Sequence, residues 1–211
     1  MSLLNKLFHY VLLTTTKYGI DESHGLSHSM NILHFANKIY ESEVFYKPHL
    51  LEQQKIIYVS AIMHDMCDKK YMNENEGVKE IENYLINDLN TNELSATKSI
   101  ITTMSYSKVK KDGFPNLGLY QDAYHIVRES DLLTAYDFDR SMIYHMKKTC
   151  DGDILKAFNN AEELFHNRVF QHNRDKLFLT EYSKKKSITL EKYGLKRINY
   201  WKKIINNKTF V

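Results

Sequence analysis

Val59-Ser60-Ala61-Ile62-Met63-His64-Asp65-Met66-Cys67-Asp68 is an apolar helical run that ends in an adjacent imidazole and carboxylate. Together with Leu51 and Ile56, the residues Val59, Ile62 and Met63 fall at spacings that make one buried stripe on a helix. An unpaired carboxylate buried at the end of such a stripe costs several kcal/mol. A bound cation removes that cost, because neutral imidazole beside ionised carboxylate suits divalent first-row metals. Asp68 stands four residues after His64, so one more helical turn would bring a second carboxylate to the same face.

Two other stretches pose the same problem. Asp21-Glu22-Ser23-His24-Gly25-Leu26-Ser27-His28 is polar and turn-like, with Ser23 or Ser27 placed to cap a helix. In that helix Ile32, Phe35, Ala36 and Ile39 share a face with His28, which puts His28 on the buried side at the helix start. Such a histidine is either a satisfied core residue or a metal ligand, and the His64-Asp65 pair favours the ligand. His34 lies off the stripe. Tyr124 to Met146 reads as one long helix in which Asp131 has Val127 and Ala135 on its own face. A carboxylate there takes a cation, a core salt bridge or a capping role.

The remaining chain reads as helical scaffold. Leu3 to Tyr18 forms a first helix ended by Gly19, and Pro48 marks the break before the helix that carries His64. Asn73 or Asn75 opens a helix through Asn87, and Thr91 or Asn92 caps another through Met104. Ser105 to Gly118 is the longest irregular stretch, rich in hydroxyls and cations, and reads either as a phosphate-holding loop or as a solvated one. Ile154 to Arg174 and Leu177 to Ile205 are helical in pattern, and His166 and His172 fall to surface or packing.

Composition agrees with this. The chain has 211 residues with only seven Gly and two Pro, which suits long helices in one all-α domain. A formal charge of +3 does not point to a nucleic-acid protein. The local imbalance from Lys184 to Lys208, nine Lys or Arg against Glu191, is interleaved with Tyr193, Tyr200 and Trp201. It reads as a solvated helix face whose aromatics dock on the core. Cys67 and Cys150 are too few for a disulfide framework, and the N-terminal leucines are too interrupted for a membrane span. A cytoplasmic or nuclear protein with no membrane partner is expected.

Taken in order, His28-Ser29 with Ile32, then Ala61-Ile62-Met63-His64-Asp65, then Ser130-Asp131-Leu132-Leu133, resemble the HD-domain superfamily of metal-dependent phosphohydrolases. The resemblance spans about Asp21 to His145. Within it the chain is most similar to compact single-domain members that open with Asp-x-x-His-Gly-x-x-His, here Asp21 to His28, and later carry Ser-Tyr/Phe-Ser-Lys, here Ser105 to Lys108. The resemblance implies a helical HD-type domain over residues 1–211, with a motif-bearing core at about 21–145 and a helical extension at about 153–206. It implies His28, His64, Asp65 and Asp131 as ligands of one divalent transition metal, and their mixed nitrogen and oxygen chemistry favours Mn, Fe, Co, Ni or Zn.

The implied activity is hydrolysis of a phosphoester or phosphoanhydride in a small nucleotide-like substrate by metal-activated water. Asp68 matches the first acid of the His-Asp-x-x-Glu-Asp motif of alarmone-hydrolysing members and joins Asp65 as a catalytic candidate. Asp replaces Glu at that position, and Lys69 replaces the second acid. His24 matches the extra histidine of the subfamily opening, as a contact to phosphate or metal-bound water. Lys69 (in preference to Lys70), Ser107 and Lys108 are candidates to balance phosphate charge. Asn31 stands where the subfamily often has Arg. Two rival readings remain open: a degenerate HD module that senses a nucleotide or metal without turnover, and a helical protein that binds nucleic acid through its basic C-terminal region. Oligomeric state is open as well.

Overall fold

A computed structural model describes residues 1–207 and 209, and among them the secondary structure is helical, with no strand. Leu3–Tyr18 forms α1, opened by the Ser2 side chain accepting from the Asn5 amide and closed by Gly19 at φ 61°. Leu26–Glu43 forms α2. Its N-cap is Gly25 in extended conformation, where Ser23 or Ser27 was expected. Ser23 serves Asp21 instead, donating both its amide and its hydroxyl to that carboxylate. Pro48–Gln53 is a short 3-10 turn. Leu51 therefore leaves the predicted stripe and stands 64 % exposed.

The decisive run becomes α3, Gln54–Met63. Gln54 and Lys55 at its start are exposed, but from Val59 to Met63 it is buried on all sides rather than along one stripe. Ile57 and Ala61 join the core built around Ile32, Ile39 and Val127, while Val59, Ile62 and Met63 join a second core with Leu7, Val11 and Ile81. A helix stretch apolar all round is one wrapped by others, and α3, like α5, contributes to both cores. The helix ends at Met63, with His64 as its C-cap, so Asp68 is not carried one helical turn beyond His64 as expected.

Glu74–Leu85 forms α4, capped by Asn73, and Thr91–Thr103 forms α5. The cap of α5 is Asn90, in a reciprocal capping box with Glu93, rather than Thr91 or Asn92. Part of the expected irregular stretch is helical: Tyr106–Asp112 forms α6, capped by Ser105. Gly77 lets α4 lie against the turn after α3, because a Cβ there would come within 2.9 Å of Cys67 Cα.

The long helix expected at 124–146 is two. Gln121–Thr134 forms α7 and Phe138–Lys148 forms α8. Asp137 breaks the run by capping α8, accepting from the Arg140 amide at 3.1 Å. At about 100° per residue, one continuous helix would have pointed Asp131 and Arg140 in opposite directions, and the break lets both face one site. Ile154–Asn167 forms α9, which stops at Arg168 before a 3-10 turn at Val169–Gln171, and Glu181–Ile205 forms α10.

α10 is clamped onto the rest. Arg197 is bidentate on Asp139 (2.9 and 2.5 Å), Trp201 Nε1 donates to the same carboxylate (2.7 Å), and Lys202 pairs with Glu162 (2.5 Å). Of the aromatics expected to dock, Trp201 does so, while Tyr193 and Tyr200 are more than half exposed. Among the described residues no helix is long and apolar enough to cross a membrane.

A buried ion pair locks the approach to α10. Glu129 on α7, fully buried, accepts from the amides of Leu179 (2.8 Å) and Thr180 (3.2 Å) and from the Thr180 hydroxyl (2.7 Å). Arg128 Nη2 lies 3.3 Å from Glu129 and donates to the Leu177 carbonyl at 2.5 Å. Removing one partner leaves a buried guanidinium and several donors unmatched. Glu129→Ala is therefore expected to destabilise the fold by about 3–5 kcal/mol, measured by chemical denaturation. A loss below about 1 kcal/mol would show that the segment 177–180 is held by something else.

Candidate metal centre

α2, α3 and α7 pack on one another, and their ends bring four side chains together. His28 comes from the first turn of α2, His64 and Asp65 from the end of α3, and Asp131 from the last turn of α7. His28 Nε2 is 3.2 Å from Asp65 Oδ2 and 3.6 Å from Asp131 Oδ1. His64 Nε2 is 3.2 Å from Asp65 Oδ1 and 4.0 Å from Asp131 Oδ1. His28, His64 and Asp65 offer donor atoms that all lie within 4.8 Å of one another, and all three are buried. Asp131 is the more open member, its side chain 29 % exposed.

Local hydrogen bonds aim both imidazoles inward. His64 Nδ1–H donates to the Ala61 carbonyl at 3.0 Å, which turns Nε2 to the site. Thr134 Oγ1 gives its proton to the Asp131 carbonyl (2.8 Å) and can accept from His28 Nδ1–H at 3.5 Å. His64 Nε2 and Asp65 Oδ2 are buried without a hydrogen-bond partner. Orphaned atoms of this kind need a ligand, and a nitrogen donor beside a carboxylate oxygen is what a divalent transition metal accepts. The residues present therefore fit a metal ion. The one donor already engaged is His28 Nε2, which accepts from Arg140 Nη2 at 3.1 Å.

The charges say the same. Burial alone would push the His64 pKa down, but the negative charges of Asp65 and then Asp131 raise it to about 9. Burial would raise Asp65, yet His64, His24 and the contact from His28 hold its carboxyl well below the usual range. His28 is pushed the other way, to about 4, by its burial and by the Arg140 guanidinium. Two ionised carboxylates in one buried cluster call for a cation.

The cluster opens onto a cavity of about 360 Å³, and His24, Asp68, Lys69, Ser107 and Lys108 all line it. Their bonding separates them. His24 is buried and neutral, its pKa pushed to about 4 by desolvation, and Lys70 Nζ sits 3.4 Å from its Nε2. Asp68 Oδ1 accepts from the Lys70 amide (2.9 Å), and Oδ2 is 3.5 Å from Lys70 Nζ. Lys70, not Lys69, is thus the lysine directed at the His24 side of the cavity. Lys108 is turned to Glu74 and the Thr102 carbonyl, each at 2.6 Å, and Ser107 is exposed with its hydroxyl 3.4 Å from that of Ser105. Cys67 also lines the cavity, but burial pushes its thiol up to about 12, which excludes a thiolate nucleophile.

Two arginines on the cavity wall escaped the sequence reading. Arg140 donates to the Ser23 carbonyl and to His28, and Arg168 stacks over Tyr106 with its guanidinium carbon 4.0 Å from the ring centroid. The Asp137 cap signal inside the presumed long helix was the legible clue to Arg140. Nothing in the helical pattern of residues 154–174 marks Arg168.

No protein-family model matches the chain, and a search of curated proteins finds no match. Among solved structures, the crystal structure of a Lactobacillus plantarum protein, a Northeast Structural Genomics target, is similar with a TM-score of 0.67. The two share 16 % sequence identity over 94 % of each chain, so the likeness concerns the fold alone.

His64 carries a proton at pH 7 because its pKa is raised, so metal uptake there must expel it. Calorimetric titration with zinc at pH 7 in buffers of different ionisation enthalpy is expected to give release of about one proton, with apparent affinity rising about tenfold per pH unit toward pH 9 and levelling above it. Proton release near zero at pH 7, or affinity flat from pH 6 to 9, would mean that His64 is not a ligand.

Proposed function

We propose that this chain is a metal-dependent phosphohydrolase of the HD type, acting on the phosphoester or phosphoanhydride of a small nucleotide-like molecule. The observation that carries the reading is the pair of orphaned, buried donor atoms, His64 Nε2 and Asp65 Oδ2, at the floor of a cavity whose wall is rich in cations. His28, His64, Asp65 and Asp131 would hold one divalent ion, of the Mn, Fe, Co, Ni or Zn class. When bound, such an ion lowers the pKa of a water and polarises a phosphoryl oxygen.

The chain's own groups supply the rest. The Ala61 carbonyl and Thr134 hydroxyl hold the two imidazoles in register, as outer partners of metal-binding histidines do. Asp68, at the cavity wall with its Oδ2 only loosely held by Lys70, is placed to take or return a proton at the reacting oxygens. Lys70 and Arg140 bring positive charge to where phosphate oxygens would lie. His24, neutral and fixed by Ser23 and Tyr71, offers a hydrogen bond without a charge.

On α10, Arg197, Lys202 and Lys184 are paired with acids while Lys185, Lys186, Lys192, Lys196 and Lys203 form no ion pair among the described residues, so the pairing weighs only in part against the nucleic-acid alternative. A non-catalytic sensor would share the same cluster, so turnover is what separates it from an enzyme. With Mn, Co, Ni, Fe or Zn added in turn, the wild-type chain is expected to release phosphate from at least one member of a panel of nucleotides and other small phosphate esters. Asp65→Ala should lose both metal and activity. Asp68→Asn should keep the metal and lose about 10²–10⁴-fold in kcat. Nucleotide binding without phosphate release under every metal would favour the sensor, and unchanged metal content in Asp65→Ala would remove the ligand set.

A further inference from the structure

The cations around the cavity differ in what already neutralises them. Lys108 is spent on Glu74, and Lys70 has Asp68 at 3.5 Å. Lys69 is exposed, where solvent and salt screen its charge. Arg168 is different: half-buried on the cavity wall, it forms no ion pair among the described residues. Its guanidinium lies on the face of Tyr106, whose ring is 5.5 Å from that of buried His172. A cation–π seat fixes the position of a guanidinium and leaves its N–H edge and its full charge available. Lys70 is mounted in the same way, 5.5 Å above the ring of Tyr144. Both tyrosines that line the cavity thus carry a cation.

The surroundings explain how Arg168 is delivered. It is the residue at which α9 stops, with φ −134° and ψ −60°, and the chain then tightens into the 3-10 turn. Tyr106 opens α6, the short helix that replaced the expected loop. Two segments far apart in sequence meet to place one guanidinium on the cavity wall.

We infer that Arg168, seated on Tyr106, is a phosphate-binding residue of this cavity, and that the cavity selects small substrates by their phosphate charge rather than by stacking on a base. The inference deepens the hydrolase reading by naming the substrate-binding wall, and it rests on that reading only for the claim that the bound anion is a substrate. Both tyrosine faces are used to present cations, so a base finds no aromatic platform on them, whereas a phosphate finds a fixed donor fork. The volume, about 360 Å³, lies at the small end of ligand pockets and suits a mononucleotide-sized molecule.

The test reads binding, not turnover. Isothermal titration of the full chain as purified with inorganic phosphate and pyrophosphate is compared for wild type, Arg168→Gln, Arg168→Lys, Tyr106→Phe and Tyr106→Ala, with metal content measured on the same samples. Arg168→Gln is expected to weaken pyrophosphate binding on the order of tenfold with metal content unchanged. Arg168→Lys should fall between it and wild type, Tyr106→Phe should match wild type, and Tyr106→Ala should weaken binding because the guanidinium loses its seat. Should Arg168→Gln not fold, Arg168→Lys and the two Tyr106 variants decide the matter. Purine and pyrimidine nucleoside monophosphates should bind within about threefold of each other. Pyrophosphate affinity within twofold of wild type in the Arg168 variants, or a tenfold preference for one base, would overturn the inference. Arg168-dependent pyrophosphate binding by a wild-type chain that takes up no metal would keep the anion site and sink the hydrolase reading, and a metal-loaded chain with Arg168-independent binding would do the reverse.

Discussion

Two carboxylates, Asp65 and Asp131, are held ionised against burial at the point where α2, α3 and α7 converge. Asp65 is almost cut off from water there and Asp131 only partly open to it, and the Arg140 guanidinium is bonded to His28 rather than to either acid. The electrostatic consequence appears on His64, whose affinity for a proton climbs although burial opposes it. A cluster with this field could hold a divalent ion, which brings two charges and uses both nitrogen and oxygen donors. The apolar wrapping of α3 is what makes this possible. By burying its last turns all round it limits the access of water to Asp65, and it sets His64 and Asp65 at the helix end where backbone no longer shields them.

Around that centre the molecule separates buried charges that hold the fold from charges left free to act. Glu129, in the middle of α7, is saturated by the 177–180 segment, and Arg128 beside it spends its Nη2 on Glu129 and the Leu177 carbonyl. Asp131, two residues further on, faces the cavity instead, and so has partners only among the site residues. Arg197, Lys202 and Lys184 are likewise spent on acids. At the cavity, Arg168 and Arg140 have no acid partner among the described residues.

The sequence was most readable where one local signal sufficed. The bounds and glycine stop of α1 are found at the residues the pattern indicated, because both depend on a single helix. The placement of His28 on a buried face and of His64 and Asp65 at a helix end also followed from periodicity. Periodicity was misleading where tertiary packing or a cap overrode it. α3 is buried all round from Val59 to Met63, so a single stripe understated it and wrongly enrolled Leu51. Asp137 caps a new helix within an unbroken apolar pattern, and Arg140 was lost with that break. Arg168 could not be read at all, and Lys70 was ranked below Lys69, since the value of both lies in contacts with Tyr106, Tyr144 and His24 on other elements.

The central claim is that His28, His64, Asp65 and Asp131 together hold one metal ion. Anomalous diffraction from crystals grown with zinc, recorded on both sides of the zinc absorption edge, addresses it most directly. The account requires one strong peak enclosed by these four residues, about 2.0–2.2 Å from the imidazole nitrogens and carboxylate oxygens that bind it. A map with no peak there at full zinc saturation, or with its strongest peak on other side chains, would contradict it.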